Sequence, residues 1–219
     1  MNKTQPLIFD VGFNQGNFSR AVLSIFNDAK IIGIDGHPMY QDMFNRSPIP
    51  NVTFINGVVS DNCKKEVPFY ICDSNPGINS INPDWINTIR HSHYFEQTKR
   101  EMMVRSTTLD KLISVYGVPD LIKLDIEGAE AMALRGLSQK CGLVMLEWSE
   151  EFFHETLICV DLLKALGYNL FASDNYWENA SQTVSEFNQS LEYTGWDDLH
   201  LNEDIIPSRK LRWGMLYAK

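Results

Sequence analysis

Cysteine pairs, long apolar runs and an excess of positive charge are all missing from the sequence. Its 219 residues include four cysteines, and no two of them form a CxxC pair. Neither a zinc site nor a redox dithiol is therefore expected. No run approaches the ~18 apolar residues that span a membrane, and no basic-then-apolar leader opens the chain. These absences predict a cytoplasmic protein with reduced thiols and no membrane partner.

Acidic residues outnumber basic ones. The chain has 28 Asp and Glu residues against 19 Lys and Arg residues, which gives a net charge of -9. Binding along a phosphate backbone needs a cationic surface. The balance therefore predicts no nucleic-acid partner and favours a neutral or cationic one.

Short apolar runs alternate with helical patterns along the chain, which predicts an α/β sheet with crossover helices. The length suits one domain that spans residues 1–219. The expected fold is a doubly wound, mostly parallel, seven-stranded sheet with two irregular insertions at about 73–103 and 174–209. Its strands are predicted at 7–11, 30–35, 52–58, 121–125, 143–147, 168–172 and 213–218, with an added strand at 67–71 and regular structure at 102–106. Helices are predicted at 17–26, 39–44, 107–115, 129–137 and 152–166.

The first predicted strand leads directly into a glycine turn, Asp10-Val11-Gly12-Phe13-Asn14-Gln15-Gly16. Glycine here permits a tight turn and lets a ligand approach the backbone closely. The N–H groups at the start of the next helix then face a carboxylate or phosphate. Asp35 ends the second strand, where a carboxylate accepts hydrogen bonds from both ribose hydroxyls of an adenosine. The pattern therefore predicts a nucleotide site.

The spacing of the glycines separates two ligand classes that share this geometry. Dinucleotide folds usually carry G-x-G-x-x-G, whose close glycine pair admits a pyrophosphate, whereas three residues separate Gly12 from Gly16. The carboxylate of Asp10 repels a pyrophosphate, but it suits the ammonium of a methionine, directly or through water. We therefore expect S-adenosylmethionine at this turn.

Ser60 and Asp61 follow the third predicted strand, where the adenine of such a ligand would lie. One of the two side chains is expected to hydrogen-bond the exocyclic amine of the adenine. A plain polar turn is the equally weighted alternative for either residue.

The segment 121–137 reads LIKLDIEGAEAMALRGL and contains a dense acidic group. Ligands of an open parallel sheet lie beyond the carboxyl ends of its strands, so we expect Asp125 to orient the acceptor or remove its proton, with Glu127 assisting. Alternatively, these two residues hold a divalent cation, although no metal site is predicted because the motif lacks histidine. Glu130 is expected to charge the first turn of the next helix. Lys123 is expected to pair with a carboxylate.

These segments resemble the FkbM-type methyltransferase family. The matching pieces are DVGFNQG at 10–16, VRSTTLDKL at 104–112 and, most specifically, the segment 121–137. Together with the strand order, the resemblance covers about residues 7–172. It implies a Rossmann-like fold that methylates hydroxyl groups of sugars or other small metabolites. It places cofactor or active-site roles on Asp10, Gly12, Asn14, Gly16, Asp35 and Asp125.

The sequence departs from that family pattern at two places. Phe13 stands where members often carry a small residue. Gly36 and His37 separate Asp35 from Pro38, where members often show Glu-Pro. The departures concern the path of the ribose-binding loop rather than the assignment.

The expected function is S-adenosylmethionine-dependent O-methylation of a sugar, glycan or other small metabolite, with both insertions on the acceptor side. One alternative is a non-catalytic S-adenosylmethionine-binding module. Another is an NAD-dependent oxidoreductase, which the lack of a Gly-x-Gly pair and of a Tyr-x-x-x-Lys pair disfavours. The candidate acceptor contacts in the insertions are of two kinds. A base is expected from His91 or His93, with solvation as the alternative, and stacking on a sugar ring from Trp85, Trp177 or Trp196, with local packing as the alternative.

Overall fold

The computed structural model describes residues 5–64, 66–87, 99–149, 152–173, 175–176, 194–195 and 212–219, and the structural statements below concern these residues. The strands are β1 (Leu7–Val11), β2 (Lys30–Asp35), β3 (Val52–Asn56), β4 (Val58–Val59), β5 (Val67–Cys72), β6 (Lys99–Val104), β7 (Ser106–Thr107), β8 (Leu121–Leu124), β9 (Leu143–Ser149), β10 (Leu170–Ala172), β11 (Asn175–Tyr176), β12 (Thr194–Gly195) and β13 (Arg212–Ala218). The α-helices are α1 (Asn17–Ile25), α2 (Pro38–Arg46), α3 (Leu109–Tyr116), α4 (Glu130–Arg135) and α5 (Phe153–Ala165). Short 3₁₀ helices cover Pro76–Ile78 and Trp85–Asn87.

The main sheet has the strand order β12-β10-β13-β9-β8-β1-β2-β3, and β11 pairs with β13. The neighbours β9, β8, β1, β2 and β3 run parallel, whereas β13 is antiparallel to both β9 and β10. The chain moves outward from β1 to β3 and then returns to the other side of β1 at β8, so the strand order reverses between β1 and β8. The predicted Rossmann-like, mostly parallel sheet of seven strands is confirmed, with the two-residue strands β11 and β12 added to it.

Helices pack on both faces of the sheet. On one face, Phe9 of β1 belongs to the large apolar core that includes Leu134 of α4 and Leu163 of α5. On the other face, Ile8 of β1 packs in a smaller cluster with Val22 of α1. Parallel strands buried on both faces have nearly continuous apolar sequences, which explains why the central strands are recognisable in the sequence.

Local sequence determines where two of the helices begin. Thr108, one of the two threonines predicted as a cap, accepts the N–H of Lys111 through its Oγ1 at 3.0 Å at the start of α3. His37 caps α2 in the same way, because its Nδ1 accepts the N–H of Met39 at 3.1 Å. Pro38 then takes the first helical position, where a missing N–H costs nothing. The residues inserted between Asp35 and Pro38 thus supply a helix cap.

Several predicted boundaries differ from the structure by one or two residues, and two differences change the pairing of strands. The strand expected at 52–58 is divided at Gly57, because β4 leaves the main sheet to pair with β7. The regular structure expected at 102–106 is mostly the strand β6, which begins at Lys99 and pairs antiparallel with β5, so part of the insertion 73–103 is regular. Most of the insertion 174–209 lies outside the described residues, as do four of the candidate acceptor contacts, His91, His93, Trp177 and Trp196.

Membrane spans and disulfides are not found in the described parts of the chain. No helix among them is long and apolar enough to cross a bilayer. All four cysteines are described, and each is a free thiol. Burial and the nearby Asp110 raise the pKa of Cys141 to about 11, so this thiol is protonated at neutral pH.

Candidate active site

A cavity of about 700 Å³ opens at the carboxyl ends of β1, β2 and β8. Its volume falls in the range of small-molecule sites, roughly 300–1,000 Å³. It adjoins the reversal of strand order, where open α/β sheets bind ligands. The predicted site residues that line it are Gly12, Asn14, Asp35, Asp125 and Glu127.

The glycine turn meets the turn after β8 at one point. Gly12 has φ +82°, and a Cβ built on it would lie 1.8 Å from the carbonyl oxygen of Asp125. Only glycine is compatible with this approach. Asn14 and Gly16 also have left-handed backbones, with φ 51° and φ 77°. Gly16 is the N-cap residue, which immediately precedes α1. Phe13, the departure from the family pattern, is buried against the ring of Phe54 at 5.2 Å between centroids, so it anchors the turn.

Asp35 faces the cavity and binds the glycine turn. Its Oδ2 accepts the N–H of Asn14 at 2.8 Å, and its Oδ1 accepts the N–H of His37 at 2.9 Å. Burial raises the pKa of Asp35 to about 6, although the two backbone hydrogen bonds oppose the shift. Each carboxylate oxygen can accept a further hydrogen bond. The side chain is therefore able to receive both hydroxyls of a ribose.

Asp10 occupies a different position from the one the sequence suggests. It is fully buried and is not among the described residues that line the cavity. Its Oδ2 accepts the hydroxyl of Ser19 at 2.7 Å, and its Oδ1 lies 3.5 Å from Nζ of Lys123. Burial raises its pKa, and the lysine counteracts this shift. Asp10 therefore lies behind the turn and contacts the cavity wall through Lys123.

Lys123 joins the strands β1 and β8, and its predicted pairing with a carboxylate is confirmed. Its Nζ donates to the carbonyl oxygen of Gly12 at 2.8 Å and lies 3.2 Å from Oδ2 of Asp125. Burial alone would lower the pKa of Lys123, but the carboxylates of Asp125 and Asp10 outweigh burial and raise it. The ammonium is therefore charged although only 6% of the residue is exposed.

Asp125 and Glu127 project from the turn that follows β8. The Asp125 side chain is 43% exposed towards the cavity. Glu127 has φ 57°, uncommon for a residue other than glycine. Its carboxylate lines the cavity and borders a second, smaller one beside Trp85. Burial, then Asp125, Glu147 and Glu130, raise the pKa of Glu127 well above its ordinary value. A raised pKa makes the carboxylate a stronger base, which suits it to accept a proton.

Two side chains hold that turn from behind. Oε1 of Glu130, the first residue of α4, accepts the N–H of Ile126 at 2.9 Å, which agrees with its predicted structural role. Burial raises the pKa of Glu130 to about 7. Asn82 donates from Nδ2 to the carbonyl oxygen of Gly128 at 2.6 Å. A Cβ on Gly128, which has φ +79°, would lie 2.8 Å from the ring of Trp85.

Ser60 and Asp61 are not among the described residues of the cavity wall. Ser60 is buried, and its hydroxyl donates to Oδ1 of Asp61 at 3.2 Å. Its N–H continues the pairing of β4 with β7 by donating to Thr107 at 2.8 Å. The wall is formed instead by the preceding Val58 and Val59. The structure therefore gives no support to a contact of Ser60 or Asp61 with adenine.

The segment 76–82 forms a wall that the sequence indicates only as a polar insertion. Asn79 and Ser80 line the cavity with Tyr40 of α2. The Tyr40 hydroxyl donates to the carbonyl oxygen of Pro76 at 3.0 Å, and Nδ2 of Asn79 donates to the same oxygen at 2.7 Å. Burial raises the pKa of Tyr40 to about 12, so it remains a phenol. Polar composition signals such a segment, but its contacts depend on the folded chain.

Trp85 belongs to this region as well. Its ring packs edge-on against Phe152 at 5.4 Å between centroids, and the residue is buried. This contact agrees with local packing rather than an exposed sugar platform. No cluster of three or more His, Cys, Asp or Glu residues that could hold a metal ion occurs among the described residues.

Comparisons with known proteins found one family model and several solved structures that resemble the chain. The Methyltransferase FkbM domain matches residues 10–170, whereas no curated protein matches the chain. The chain is similar to the precorrin-6y C5,15-methyltransferase of Geobacter metallireducens GS-15, at 10% identity and a TM-score of 0.48, over 98% of this chain and 80% of that one. It is also similar to the FkbM methyltransferase of Methylobacillus flagellatus KT, at 12% identity and a TM-score of 0.48, over 96% of this chain but only 44% of that one.

The family assignment rests on the domain match, which covers most of the chain and includes both turns of the cavity. It also contains the strands β2 and β8 and the end of β1, which position those turns. The protein belongs to the FkbM family of S-adenosylmethionine-dependent methyltransferases.

Proposed function

We propose that this protein transfers a methyl group to a hydroxyl oxygen of a small acceptor, such as a sugar or a glycan. One observation carries the proposal: a single cavity contains the glycine turn and Asp35 on one side and Asp125 and Glu127 on the other. The first pair of features suits an adenosine ligand, and the second suits an acceptor that loses a proton.

The residues of the cofactor side fit S-adenosylmethionine. Asp35 would accept the ribose hydroxyls, because each of its oxygens has one backbone donor and remaining lone pairs. The turn 12–16 and the start of α1 would hold the amino-acid end with backbone groups. The adenine would lie against the apolar side chains of Val58 and Phe69, which line the same cavity. Asp10 would contribute through Lys123 rather than by direct contact.

The acceptor side supplies a proton acceptor. S-adenosylmethionine carries a methyl group that its sulfonium sulfur has already activated for displacement. An alcohol must lose its proton as it is methylated, and the Glu127 carboxylate, whose pKa is raised, is placed to take it. Asp125, paired with Lys123, would orient the hydroxyl. A neutral amine has a free lone pair and attacks without a base, whereas an alkyl amine that is protonated at neutral pH must first lose a proton.

Binding and transfer are tested separately. Titration calorimetry with S-adenosylmethionine, S-adenosylhomocysteine and NAD is expected to show binding of the first two, lost in Asp35→Ala. Mass spectrometry with sugars, glycans and matched amines is expected to show one added methyl on the hydroxyl compounds and equimolar S-adenosylhomocysteine. Binding without transfer to any acceptor would support the non-catalytic module, and methylation of the amines alone would overturn the hydroxyl assignment.

The extent of the domain is part of the same proposal. We propose that residues 1–219 form one domain and that the insertions 73–103 and 174–209 lie on its acceptor side. Limited proteolysis with and without S-adenosylhomocysteine checks this, because two domains would yield two stable fragments. A cytoplasmic location stays a prediction, which cell fractionation checks.

A further inference from the structure

We propose that Lys123 is a positioning residue that holds the glycine turn and the Asp125 carboxylate in register with each other. The inference rests on the proposed function, because Asp125 matters to the acceptor only in that reaction. Lys123 would act through its neighbours and not by contact with the reacting atoms.

The backbone places the three partners of Lys123 around one point. β1 and β8 are parallel neighbours, with Asp10 and Lys123 as register partners. The ammonium lies 2.8 Å from the carbonyl oxygen of Gly12, 3.2 Å from Oδ2 of Asp125 and 3.5 Å from Oδ1 of Asp10. The contact with Gly12 is a hydrogen bond, and the contacts with the two carboxylates are ion pairs. One side chain therefore fixes a carbonyl of the cofactor turn and a carboxylate of the acceptor turn.

The charges make this arrangement sensitive to the lysine. Asp10 is fully buried, its Oδ2 is used by Ser19, and its Oδ1 accepts no hydrogen bond from the described residues. Lys123 is thus the cation beside that oxygen. A buried charge without a partner is costly. A purely structural account would therefore have Lys123 neutralise Asp10 and do nothing more.

A pair of variants separates the two accounts. Lys123→Met leaves the Asp10 charge buried without its cation, so we expect a large fall in Tm. The double variant Asp10→Asn/Lys123→Met removes both charges and keeps the oxygen that accepts from Ser19. Its Tm is therefore expected to recover. If Lys123 positions the two turns, activity and cofactor affinity do not recover with the Tm.

The readouts are Tm, the Kd for S-adenosylhomocysteine by calorimetry, and kcat against pH with an acceptor found above. In the double variant we expect a Kd about tenfold weaker and a kcat lower by about 10²-fold, the effect of misplacing a group by about 1 Å. The acidic limb of the pH profile is expected to move to higher pH, because Lys123 lowers the pKa of Glu127. The carboxylates of Asp125, Glu147 and Glu130 also face Glu127, and each of them raises its pKa.

Two further variants serve as controls. Lys123→Arg keeps the charge but replaces the compact ammonium with a planar fork, so it is expected to recover Tm more than kcat. The exposed Lys111→Met is expected to match the wild type throughout. A double variant with wild-type Kd, kcat and pH profile would overturn the proposal, since Lys123 would then only neutralise Asp10. If the wild type binds S-adenosylhomocysteine but methylates nothing, the proposed function fails, while the Kd comparison still tests Lys123.

Discussion

Two turns on neighbouring strands form the cavity, and they are built by opposite means. The turn 12–16 follows β1, is anchored by the apolar ring of Phe13, and donates the backbone N–H of Asn14 to Asp35. The turn 125–130 follows β8 and carries three carboxylates. Lys123 pairs with the carboxylate of Asp125, and the side-chain amide of Asn82 donates to the carbonyl oxygen of Gly128. Both contain a left-handed residue other than glycine, Asn14 in the first and Glu127 in the second.

The difference shows how one sheet edge serves two chemical tasks. Backbone groups can bind a cofactor without a change of protonation, and they need only the correct path of the chain. Side chains that exchange a proton must have a shifted pKa, which requires burial and nearby charges. The second turn therefore depends on distant residues, such as Asn82, more than the first does.

The largest effect is expected where the two turns touch. Gly12→Ala would place a Cβ 1.8 Å from the carbonyl oxygen of Asp125 at φ +82°. We expect the free energy of unfolding to fall by about 3–5 kcal/mol and the Tm to fall by about 10 °C, as measured by urea and thermal unfolding. The matched control is Gly167→Ala, which has φ +81° but no atom within 4 Å of the new Cβ, and which should cost about 1 kcal/mol. Equal losses in the two variants would contradict the close contact.

The next effect separates the turns by function. Glu127→Gln is expected to lower kcat by about 10²–10⁴-fold and to leave the Kd for S-adenosylhomocysteine unchanged. In the wild type kcat should fall as pH drops through the raised pKa of Glu127, because only the carboxylate accepts a proton. The variant should lack that limb, and the exposed Glu101→Gln should keep it. A wild-type kcat in Glu127→Gln would rule out this base.

A smaller effect is expected on the cofactor side. Asp35→Asn is expected to weaken S-adenosylhomocysteine binding about 10–100-fold, because hydrogen bonds to a charged acceptor are lost. The pKa of Asp35 is raised to about 6, so wild-type affinity should be complete above that pH and decline below it. Titration calorimetry from about one pH unit below this pKa to about two units above it checks this. The exposed Asp28→Asn is the matched control and should keep the pH dependence of the wild type. A pH dependence that persists in Asp35→Asn, or that is lost in Asp28→Asn, would exclude Asp35 as its source.

The smallest effect concerns the support of the second turn. Asn82→Ala leaves the carbonyl oxygen of Gly128 without its donor. We therefore expect the free energy of unfolding to fall by about 1–3 kcal/mol and kcat to be lower. Asn87→Ala removes a similar but exposed bond to Pro83 and should change stability by less than about 0.5 kcal/mol. Urea unfolding compares the two. Indistinguishable variants would show that the second turn supports itself.

Features that depend on neighbouring residues were predictable from the sequence, and features that depend on distant residues were not. Both central strands, Leu7–Val11 and Lys30–Asp35, have the bounds that their apolar runs indicate, because burial on two faces leaves a clear pattern. Thr108 as a helix cap and Asp35 at a strand end are local features, and the structure places both as expected. Only the position of Ser60 after a strand indicates a site role, and the pairing of β4 with β7 keeps this residue out of the cavity wall.

By itself, the sequence determined the order of strands and helices, the glycine turn and the acidic segment, since each depends on neighbours along the chain. The tertiary structure decided which carboxylates face the cavity. Asp10 and Asp35 both belong to strands of the sheet, but one is buried behind Lys123 and the other binds the turn 12–16. It also decided that Asn82 supports Gly128 across 46 residues of chain. Burial and long-range contacts set these roles, and neither is encoded in local spacing.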